Sequence, residues 1–374
     1  MNFAEWLSVF SRRSIVTGSV VWLAGLTAQA CSLSLVSGLL SGCDDGRTPA
    51  AVPLTSVEVP SLGKPDGGAS TLPAPPDYAH IEFVTEQIAP DFYTLTGSPG
   101  VDPGHPEAAG GRLGALVMAD GIVLVDASYA PLTDKIVTAL GKISSAPIRY
   151  LIDTHAHPDH TGGNPNIVKR GALLIAREEV RNELLQPLPA AVGDAASNTD
   201  PARLPTLTFG LGAPLRIYVG DATVDLIPLP AAHTDGDALV RFERADVIMI
   251  GDFYRNYGYP FVDQLHGGTF KGVLDALDLL LTLAGPNTVL VPGHGSTIQR
   301  DAIPAYRAMI VDIQTRVSQM IGEGKSVEEV LAAHLTAPYD ASVEGGLDEL
   351  PVGLGVSSAD RFVSEVYADA SAGT

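Results

Sequence analysis

A short histidine-rich stretch constrains the fold of this chain more than any other feature of its sequence. DTHAHPDHTGG, residues 153–163, follows the apolar run IRYLI and places three of the nine histidines and an aspartate within six positions. Several protonated imidazoles on one loop would repel one another, whereas a bound metal ion selects their neutral form. Because one loop offers too few ligands for a closed site, the fold must bring other parts of the chain to this loop.

Three further ligand-type side chains follow apolar runs elsewhere in the chain. His233 comes after the run that ends near Leu229, Asp252 follows VIMIG, and His294 follows VLVPG. Each position is one where a strand is expected to end. Loops at one edge of a packed pair of sheets can assemble an active site from distant segments, so we expect these side chains to meet there.

Short apolar runs alternate with helical patterns in both halves of the body. DFYTLTG and RLGALVMADGIVLVD predict strands, the second interrupted by the turn signal Asp120-Gly121. PLTDKIVTALGKI, residues 131–143, predicts a helix with Pro131 in its first turn. The alternation is repeated between TLTFG and NTVLVPGHG. Hairpin-paired strands with helices at intervals predict an α/β fold of two sheets covered by helices, a four-layer αββα sandwich.

The N-terminus is interpreted as an export signal rather than as part of the fold. Arg12 and Arg13 precede an uncharged run, residues 14–41, and resemble a twin-arginine signal. LLSGC, residues 39–43, resembles a lipoprotein signal with Cys43 as the acylated first residue, and an uncleaved signal anchor is the alternative. In either case we expect an exported body on the periplasmic side of a bacterial membrane.

The chain is predicted to have four parts. These are a signal peptide (residues 1–42), a tether rich in proline, glycine and alanine (43–79), the folded body (80–312) and a helical C-terminal extension (313–374). In the extension, Ser326 and Glu329 of SVEEVLAAH fit a capping box at the start of a helix.

Composition limits the partners and the ligands. The chain has 23 Lys and Arg against 43 Asp and Glu, a net charge of −20, which opposes binding to nucleic acid and leaves a small-molecule substrate as the expected partner. Both cysteines, Cys31 and Cys43, fall in the leader, so the body has no thiolate ligand and no thiol nucleophile. Any metal must therefore be held by nitrogen and oxygen. No oligomeric state follows from the sequence.

In the order and spacing of these motifs, from about His80 to Tyr306, the sequence resembles the metallo-β-lactamase superfamily. The resemblance implies two zinc ions per chain, one held by His155, His157 and His233, the second by Asp159, His160 and His294, with Asp252 bridging them. Asp126, which ends IVLVD, resembles the first aspartate of the family and supports the loop without being a ligand.

Such a zinc pair lowers the pKa of a shared water toward about 7, and the metal-bound hydroxide can then attack a carbonyl at neutral pH. Asp159 is the expected catalytic residue, which orients the hydroxide and passes its proton to the leaving group. Asp252 argues against a dedicated β-lactamase, since β-lactamase subclasses of the superfamily carry a cysteine or no acidic ligand at this place. The export signal argues against a hydrolase of glutathione thioesters. The expected function is therefore hydrolysis of a small ester, lactone or lactam.

Two other classes of function stay open. One is an iron-dependent oxidoreductase of the sulfur-oxidising kind on the same fold, for which one metal suffices. The other is a membrane-tethered binding factor that has lost catalysis. The complete ligand set favours an enzyme over the binding factor.

Other side chains near the motifs carry weaker expectations. Four aromatic residues after Asp252 either line an apolar substrate groove or pack against the core: Tyr254, Tyr257, Tyr259 and Phe261. His266 could reach the site, although a loop histidine outside the motifs is more often unliganded. Three other histidines are expected to be structural or exposed: His80, His105 and His334. Three threonines beside the ligands are expected to supply outer hydrogen bonds: Thr154, Thr161 and Thr234.

Overall fold

The computed structural model describes residues 78–97, 110–186, 200–348 and 356–372. The predicted signal peptide, Cys43, nearly all of the predicted tether and His105 lie outside these residues. The described residues belong to the compact unit Leu72–Thr374. None of the helices within them is both long enough and apolar enough to cross a bilayer.

The described strands form two sheets. The first sheet contains β1 Phe83–Ala89, β2 Phe92–Gly97, β3 Leu113–Met118, β4 Gly121–Val125, β5 Ile148–Ile152, β6 Leu173–Arg177 and β7 Leu207–Phe209, in that order. The second contains β8 Leu215–Val219, β9 Ala222–Pro228, β10 Ala238–Phe242, β11 Val247–Gly251 and β12 Val289–Pro292, with β12 and β8 at its edges. The strands predicted from the apolar runs are confirmed.

Helices connect neighbouring strands that run parallel, because a parallel pair needs a crossover connection. The connecting helices are α1 Thr133–Gly141, α2 Pro158–Thr161, α3 Asn164–Val168, α4 Glu178–Leu185 and α5 Phe270–Leu283. Three more helices follow the last strand: α6 Ile303–Gly322, α7 Val327–Ala332 and α8 Ser358–Ala372. Strands β4 to β7 are parallel, as are β11 and β12, whereas the remaining pairs are antiparallel.

The alternation of side chains along each strand separates the inner and outer layers. On the inner faces, Val123 and Val125 of the first sheet share one buried cluster with Val240 and Met249 of the second. On the outer face of the first sheet, Leu124 joins a second cluster with residues of α1, among them Ile136 and Leu140. One helix layer therefore covers the first sheet on the side away from the second sheet.

The outer face of the second sheet is also buried. Leu239 and Ile248 have no exposed surface, and neither do Ala276, Leu277 and Leu280 on one side of α5. Since α5 connects the parallel strands β11 and β12 and the inner face is occupied by the first sheet, α5 lies on the outer face. The layers are helix, sheet, sheet and helix, which confirms the predicted αββα sandwich.

The C-terminal region is helical, as expected. Helix α6 runs without interruption through position 312, where the sequence analysis ends the body. At the start of α7, Ser326 Oγ accepts a hydrogen bond from Glu329 N, and Glu329 Oε2 accepts one from Ser326 N at 2.9 Å. The predicted capping box is therefore confirmed.

Candidate metal centre

Seven side chains that the sequence analysis predicts as ligands come together at one edge of the sandwich. His155, His157, Asp159 and His160 follow β5, and the last two lie in α2. The other three follow β9, β11 and β12, which run in the same direction because β10 is antiparallel to its neighbours β9 and β11 while β12 is parallel to β11: His233, Asp252 and His294. The carboxyl ends of strands from both sheets thus supply the site.

Asp252 lies in the middle of this cluster and is buried. Its Oδ2 is 3.2 Å from His294 Nε2, 3.9 Å from His233 Nε2 and 4.0 Å from His155 Nε2. Its Oδ1 is 3.5 Å from His160 Nε2. A single carboxylate therefore faces ring nitrogens from every contributing loop.

Two ligand groups flank Asp252. The imidazole group consists of His155, His157 and His233, and the carboxylate group consists of Asp159, His160 and His294; in each group the potential ligand atoms lie within 4.8 Å of one another. In the carboxylate group, Asp159 Oδ2 is 3.1 Å from His294 Nε2 and 3.5 Å from His160 Nε2. These two groups are the same sets that the resemblance assigns to the first and second zinc.

In the imidazole group, two rings have their outer nitrogens engaged. His157 Nε2 donates to Asp263 Oδ2 at 2.8 Å, and His233 Nδ1 donates to the carbonyl of Phe261 at 2.8 Å. The inner nitrogens, His157 Nδ1 and His233 Nε2, then face each other across 3.1 Å. Two lone pairs at this separation repel unless a proton or a cation lies between them.

Asp126 holds the loop after β5 from the end of β4. Its carboxylate accepts hydrogen bonds from Thr154 N at 2.8 Å, from Thr154 Oγ1 at 2.9 Å and from His160 Nδ1 at 2.8 Å. Thr154 Oγ1 is also 3.1 Å from His155 Nδ1, which donates to it because the hydroxyl proton is used for Asp126. The inner Nε2 atoms of His155 and His160 therefore point toward Asp252.

Glycines allow the close approach of the backbone to these rings and carboxylates. A β-carbon at Gly293 would lie 2.0 Å from Asp252 Oδ1, and one at Gly111 would lie 2.2 Å from His160 Cε1. Both distances are shorter than van der Waals contact, so a larger side chain at either position would displace a potential ligand.

The donor set fits a bound cation. His155 Nε2, His160 Nε2 and Asp252 Oδ1 are buried and have no hydrogen-bond partner among the described residues. An unpaired buried polar atom costs about 1–3 kcal/mol, a cost that coordination to a metal would remove. Imidazole nitrogens and carboxylate oxygens are ligands that Zn²⁺ commonly takes in proteins.

Burial keeps two rings of the imidazole group neutral, those of His155 and His233. Desolvation holds the pKa of His155 well below its usual value, and the neighbouring His160 lowers it further. Desolvation also lowers the pKa of His233, to about 3. Neutral imidazole is the form that binds metal, so neither ring has to lose a proton at neutral pH.

The carboxylate group has the opposite electrostatics. Burial acts to lower the pKa of His160, but Asp159 and Asp252 raise it well above the usual value. Burial likewise acts to lower the pKa of His294, and Asp252 is the main cause of its rise to about 9. The two groups therefore differ in charge although they share Asp252.

Two carboxylates that support the site were missed by the sequence analysis. Asp237 Oδ2 accepts a hydrogen bond from His233 N at 2.6 Å, and Asp237 Oδ1 accepts one from Thr234 Oγ1 at 2.6 Å. Asp263 binds His157 as described above. The signal available in the sequence was an aspartate four residues after one candidate ligand, in HTDGD, and an Asp-x-x-His pair at Asp263 and His266.

The other described histidines lie outside the seven-residue cluster. His266 Nδ1 donates to Asp263 Oδ2 at 2.6 Å, its Nε2 is 3.2 Å from Glu183 Oε1, and its ring centroid is 5.8 Å from that of His157. His80 and His334 are exposed.

The aromatic residues after Asp252 mostly pack against other rings. Tyr254 is buried with its ring centroid 4.3 Å from that of Tyr306, and Tyr259 is stacked on Phe362 at 5.6 Å. Phe261 differs, because its ring centroid is 5.2 Å from that of His233 and 6.2 Å from that of His157. Among these aromatic residues, Phe261 is the one that borders the imidazole group.

Comparison with known proteins agrees with this geometry. Residues 116–294 match the family described as "Metallo-beta-lactamase superfamily". A hydroxyacylglutathione hydrolase from Erythrobacter litoralis (strain HTCC2594) is 29% identical over 171 residues, which cover 42% of this chain and 58% of that protein. The chain thus spans less than two thirds of this relative's length.

Solved structures of metallo-β-lactamases are also similar to this chain. One from Pontibacter korlensis has a TM-score of 0.47 at 15% identity and covers 61% of this chain and 99% of its own. The DIM-1 metallo-β-lactamase has a TM-score of 0.48 at 15% identity and covers 61% of this chain and 97% of its own.

Proposed function

We propose that this chain is a zinc-dependent hydrolase of the metallo-β-lactamase superfamily, whose description matches residues 116–294, and that it binds two zinc ions per chain. Its proposed substrate is the carbonyl of a small ester, lactone or lactam. The observation that carries this proposal is the position of Asp252, a buried carboxylate between three imidazoles on one side and a second His and Asp group on the other. Asp252 would bridge the two ions.

A pair of divalent ions held here would supply Lewis acidity and a nucleophilic water at neutral pH. The residues of the chain orient the reactants. Burial acts to raise the pKa of Asp159, but His160 and His294 hold it below the usual value, so this carboxylate stays ionised. Its side chain is 16% exposed, against 6% for Asp252, and it can accept a hydrogen bond from an attacking water. Asp159 then carries the proton to the leaving group.

Thioester hydrolysis is a second candidate function. It is supported by the name of the 29% identical relative, a hydroxyacylglutathione hydrolase. The carbonyl chemistry would be the same, and a thiolate would leave in place of an alkoxide or amine. The export signal proposed for this chain argues against a glutathione thioester, so the two observations favour different substrates and the assay must include both.

The test is metal analysis of protein purified without added metal, followed by hydrolysis assays with lactam, lactone, aryl ester, thioester and phosphodiester probes. We expect two zinc ions per chain, hydrolysis of at least one carbonyl probe, and loss of at least about 100-fold in activity for His157→Ala and Asp159→Ala, because both remove potential ligands. His334→Ala, an exposed histidine far from the cluster in sequence, serves as the control. Unchanged activity in both ligand variants would contradict the mechanism.

Other metal contents favour the alternative functions. One iron per chain without hydrolysis of any probe would favour an iron-dependent oxidoreductase. Protein that contains no metal and has no activity would favour a binding factor.

The proposed location is the periplasmic side of a bacterial membrane, with a lipid anchor at Cys43. The support is the sequence of residues 1–43. Cells that express the chain should incorporate labelled palmitate into it, and Cys43→Ala should abolish the labelling. Equal labelling of both proteins would contradict acylation at Cys43.

A further inference from the structure

Residues 259–266, here called the outer segment, hold the imidazole group from the side away from Asp252. The carbonyl of Phe261 accepts a hydrogen bond from His233, and Asp263 Oδ2 accepts one from His157. Asp263 N also donates to the carbonyl of His233 at 2.9 Å. The positions of two of the three imidazoles therefore depend on where the outer segment lies.

Arg361, in the C-terminal helix α8, holds the first half of the outer segment. Its Nη2 donates to the carbonyls of Tyr259 at 3.1 Å and Pro260 at 3.3 Å, and its guanidinium carbon lies 4.5 Å from the ring centroid of Phe261. The Arg361 side chain is only 16% exposed. Hydrogen bonds from a charged, mostly buried donor to backbone carbonyls restrict the path of the main chain.

Glu365, one helical turn further along α8, holds the second half. Its Oε2 accepts a hydrogen bond from Val262 N at 3.1 Å, and its own carbonyl accepts one from Gln264 Nε2 at 2.9 Å. Its other carboxyl oxygen is 3.3 Å from Arg361 Nε. The contacts of the two residues thus bracket Phe261 and lie on both sides of Asp263.

The carboxylate group is held by a different part of the molecule. His160 is oriented by Asp126, at the end of β4, through a pair whose side chains are 0% and 1% exposed. This support belongs to the first sheet and not to α8.

We propose that Arg361 and Glu365 are positioning residues of the imidazole group, and that α8 is therefore part of the machinery of the metal centre. They act on His157 and His233 through the outer segment without touching the proposed ions. The inference rests on the proposed function only in assigning a metal to this group. Loss of either side chain should loosen the imidazole group and leave the carboxylate group in place.

The first experiment uses the full chain without metal, labelled with ¹⁵N-histidine. In the wild type, the Nε2–H of His157 and the Nδ1–H of His233 should be protected from solvent exchange by their hydrogen bonds. Arg361→Ala and Glu365→Ala should each lose this protection by at least about tenfold, whereas the Nδ1–H of His160 should keep it. Glu365→Gln should restore protection, because an amide oxygen can still accept from Val262 N.

A matched control separates positioning from general stabilisation of the fold. Tyr367→Phe removes a hydrogen bond from the same helix, Tyr367 Oη to the carbonyl of Lys325 at 3.1 Å, that does not involve the outer segment. This variant should keep the protection of all three imidazole protons. If Tyr367→Phe lost protection as the Arg361 and Glu365 variants do, or if those variants kept it, the proposal would be overturned.

Zinc titration against a chromophoric chelator gives the second measurement. Arg361→Ala and Glu365→Ala should weaken one of two zinc equivalents by about 10–100-fold, the range typical of losing an outer hydrogen bond to a ligand, and change the other by less than about threefold. Equal weakening of both equivalents would overturn the proposal. If the wild type binds no zinc at all, the proposed function fails, and the exchange measurement on the metal-free protein still decides the positioning role.

Discussion

The imidazole group and the carboxylate group share Asp252 but are held in place by different parts of the chain. In the carboxylate group, His160 is fixed by Asp126, a residue at the end of a strand in the first sheet. In the imidazole group, His157 and His233 are fixed by Asp263 and Phe261, on an irregular segment that follows β11. His160 is therefore supported by the sandwich, whereas His157 and His233 are supported by a loop that α8 holds in place.

The two groups also differ in how burial affects their charge. Burial makes His155 and His233 neutral, whereas the carboxylates around His160 and His294 overcome burial and raise the pKa of both rings. The same low-dielectric environment therefore gives opposite results, because the imidazole group has few anionic neighbours and the carboxylate group has several.

The largest effect is expected from Asp252→Asn, because Asp252 faces both groups. It should remove at least one zinc equivalent, weaken the other, and lower hydrolysis by at least about 100-fold, more than the loss of an outer hydrogen bond usually costs. Metal analysis and the hydrolysis assay measure both effects. Asp221→Asn, at an aspartate whose side chain is 74% exposed, is the control. Retention of two zinc ions with full activity would show that Asp252 does not link the groups.

Asp126→Asn should affect mainly the carboxylate group, because His160 bonds to Asp126 directly whereas His155 of the imidazole group does so only through Thr154. The amide of this variant cannot accept from both His160 and Thr154 as the carboxylate does, so we expect one zinc equivalent to bind about 10–100-fold more weakly. The competition titration measures this. Asp225→Asn, at another buried aspartate that pairs with Arg216, is the matched control. Equal weakening of both equivalents would mean that the groups are not supported separately.

Asp263→Asn should affect only the imidazole group, and by less, about tenfold. The reason is exposure, since the side chains of His157 and Asp263 are 17% and 12% exposed and water can replace part of the lost hydrogen bond. The zinc equivalent that weakens most should be the one that Asp126→Asn affects less. If both variants weaken the same equivalent most, the division of the centre into two separately supported groups is wrong.

A separate effect, on the stability of the fold and not on metal binding, concerns the helix that supports the imidazole group. Burial raises the pKa of Glu365 from 4.5 to about 7, although Arg361 opposes the rise. Because the folded-state pKa is raised, the stabilisation that Glu365 contributes is present at low pH and is lost as pH rises from 4.5 to about 7. Relative to Glu365→Gln, the wild type should lose roughly 3 kcal/mol of unfolding free energy over this interval and then show no further change.

Urea unfolding of the metal-free wild type and Glu365→Gln between pH 4.5 and 8 measures this difference. A difference that stays constant with pH would contradict the raised pKa. If the wild type instead gained stability relative to Glu365→Gln as pH rises, the pKa of Glu365 would be lowered in the folded protein and not raised.

The sequence predicted the elements that have helical apolar spacing or a continuous apolar run. The helix predicted at residues 131–143 is present as α1 Thr133–Gly141, and the buried runs before Asp126 and Asp252 form strands as predicted. Strand β1, residues 83–89, was not predicted, because four consecutive residues in it are exposed and its pattern carries no alternation. Its position follows from backbone pairing with β2, which amino-acid type alone does not encode.

In the candidate metal centre too, the sequence identified side chains that follow apolar runs and missed those whose role depends on contact with a distant segment. His155 to His160, His233, Asp252 and His294 were found because ligand-type residues after apolar runs are visible in a linear sequence. Asp263 was missed because its partner His157 is 106 residues away, and nothing near Asp263 marks it as the acceptor for that ring. Glu365 was missed for the same reason, since its contact with Val262 spans 103 residues.

The linear sequence is enough to identify the chemical types of the potential ligands, their spacing along the chain and the alternation of strands and helices that places them at strand ends. The packing of the sheets and loops sets which imidazole nitrogens face Asp252 and which distant groups hold the rings in that orientation. The physical reason is that a strand or helix pattern records local burial, whereas an outer hydrogen bond depends on where two remote segments meet after the sheets have packed.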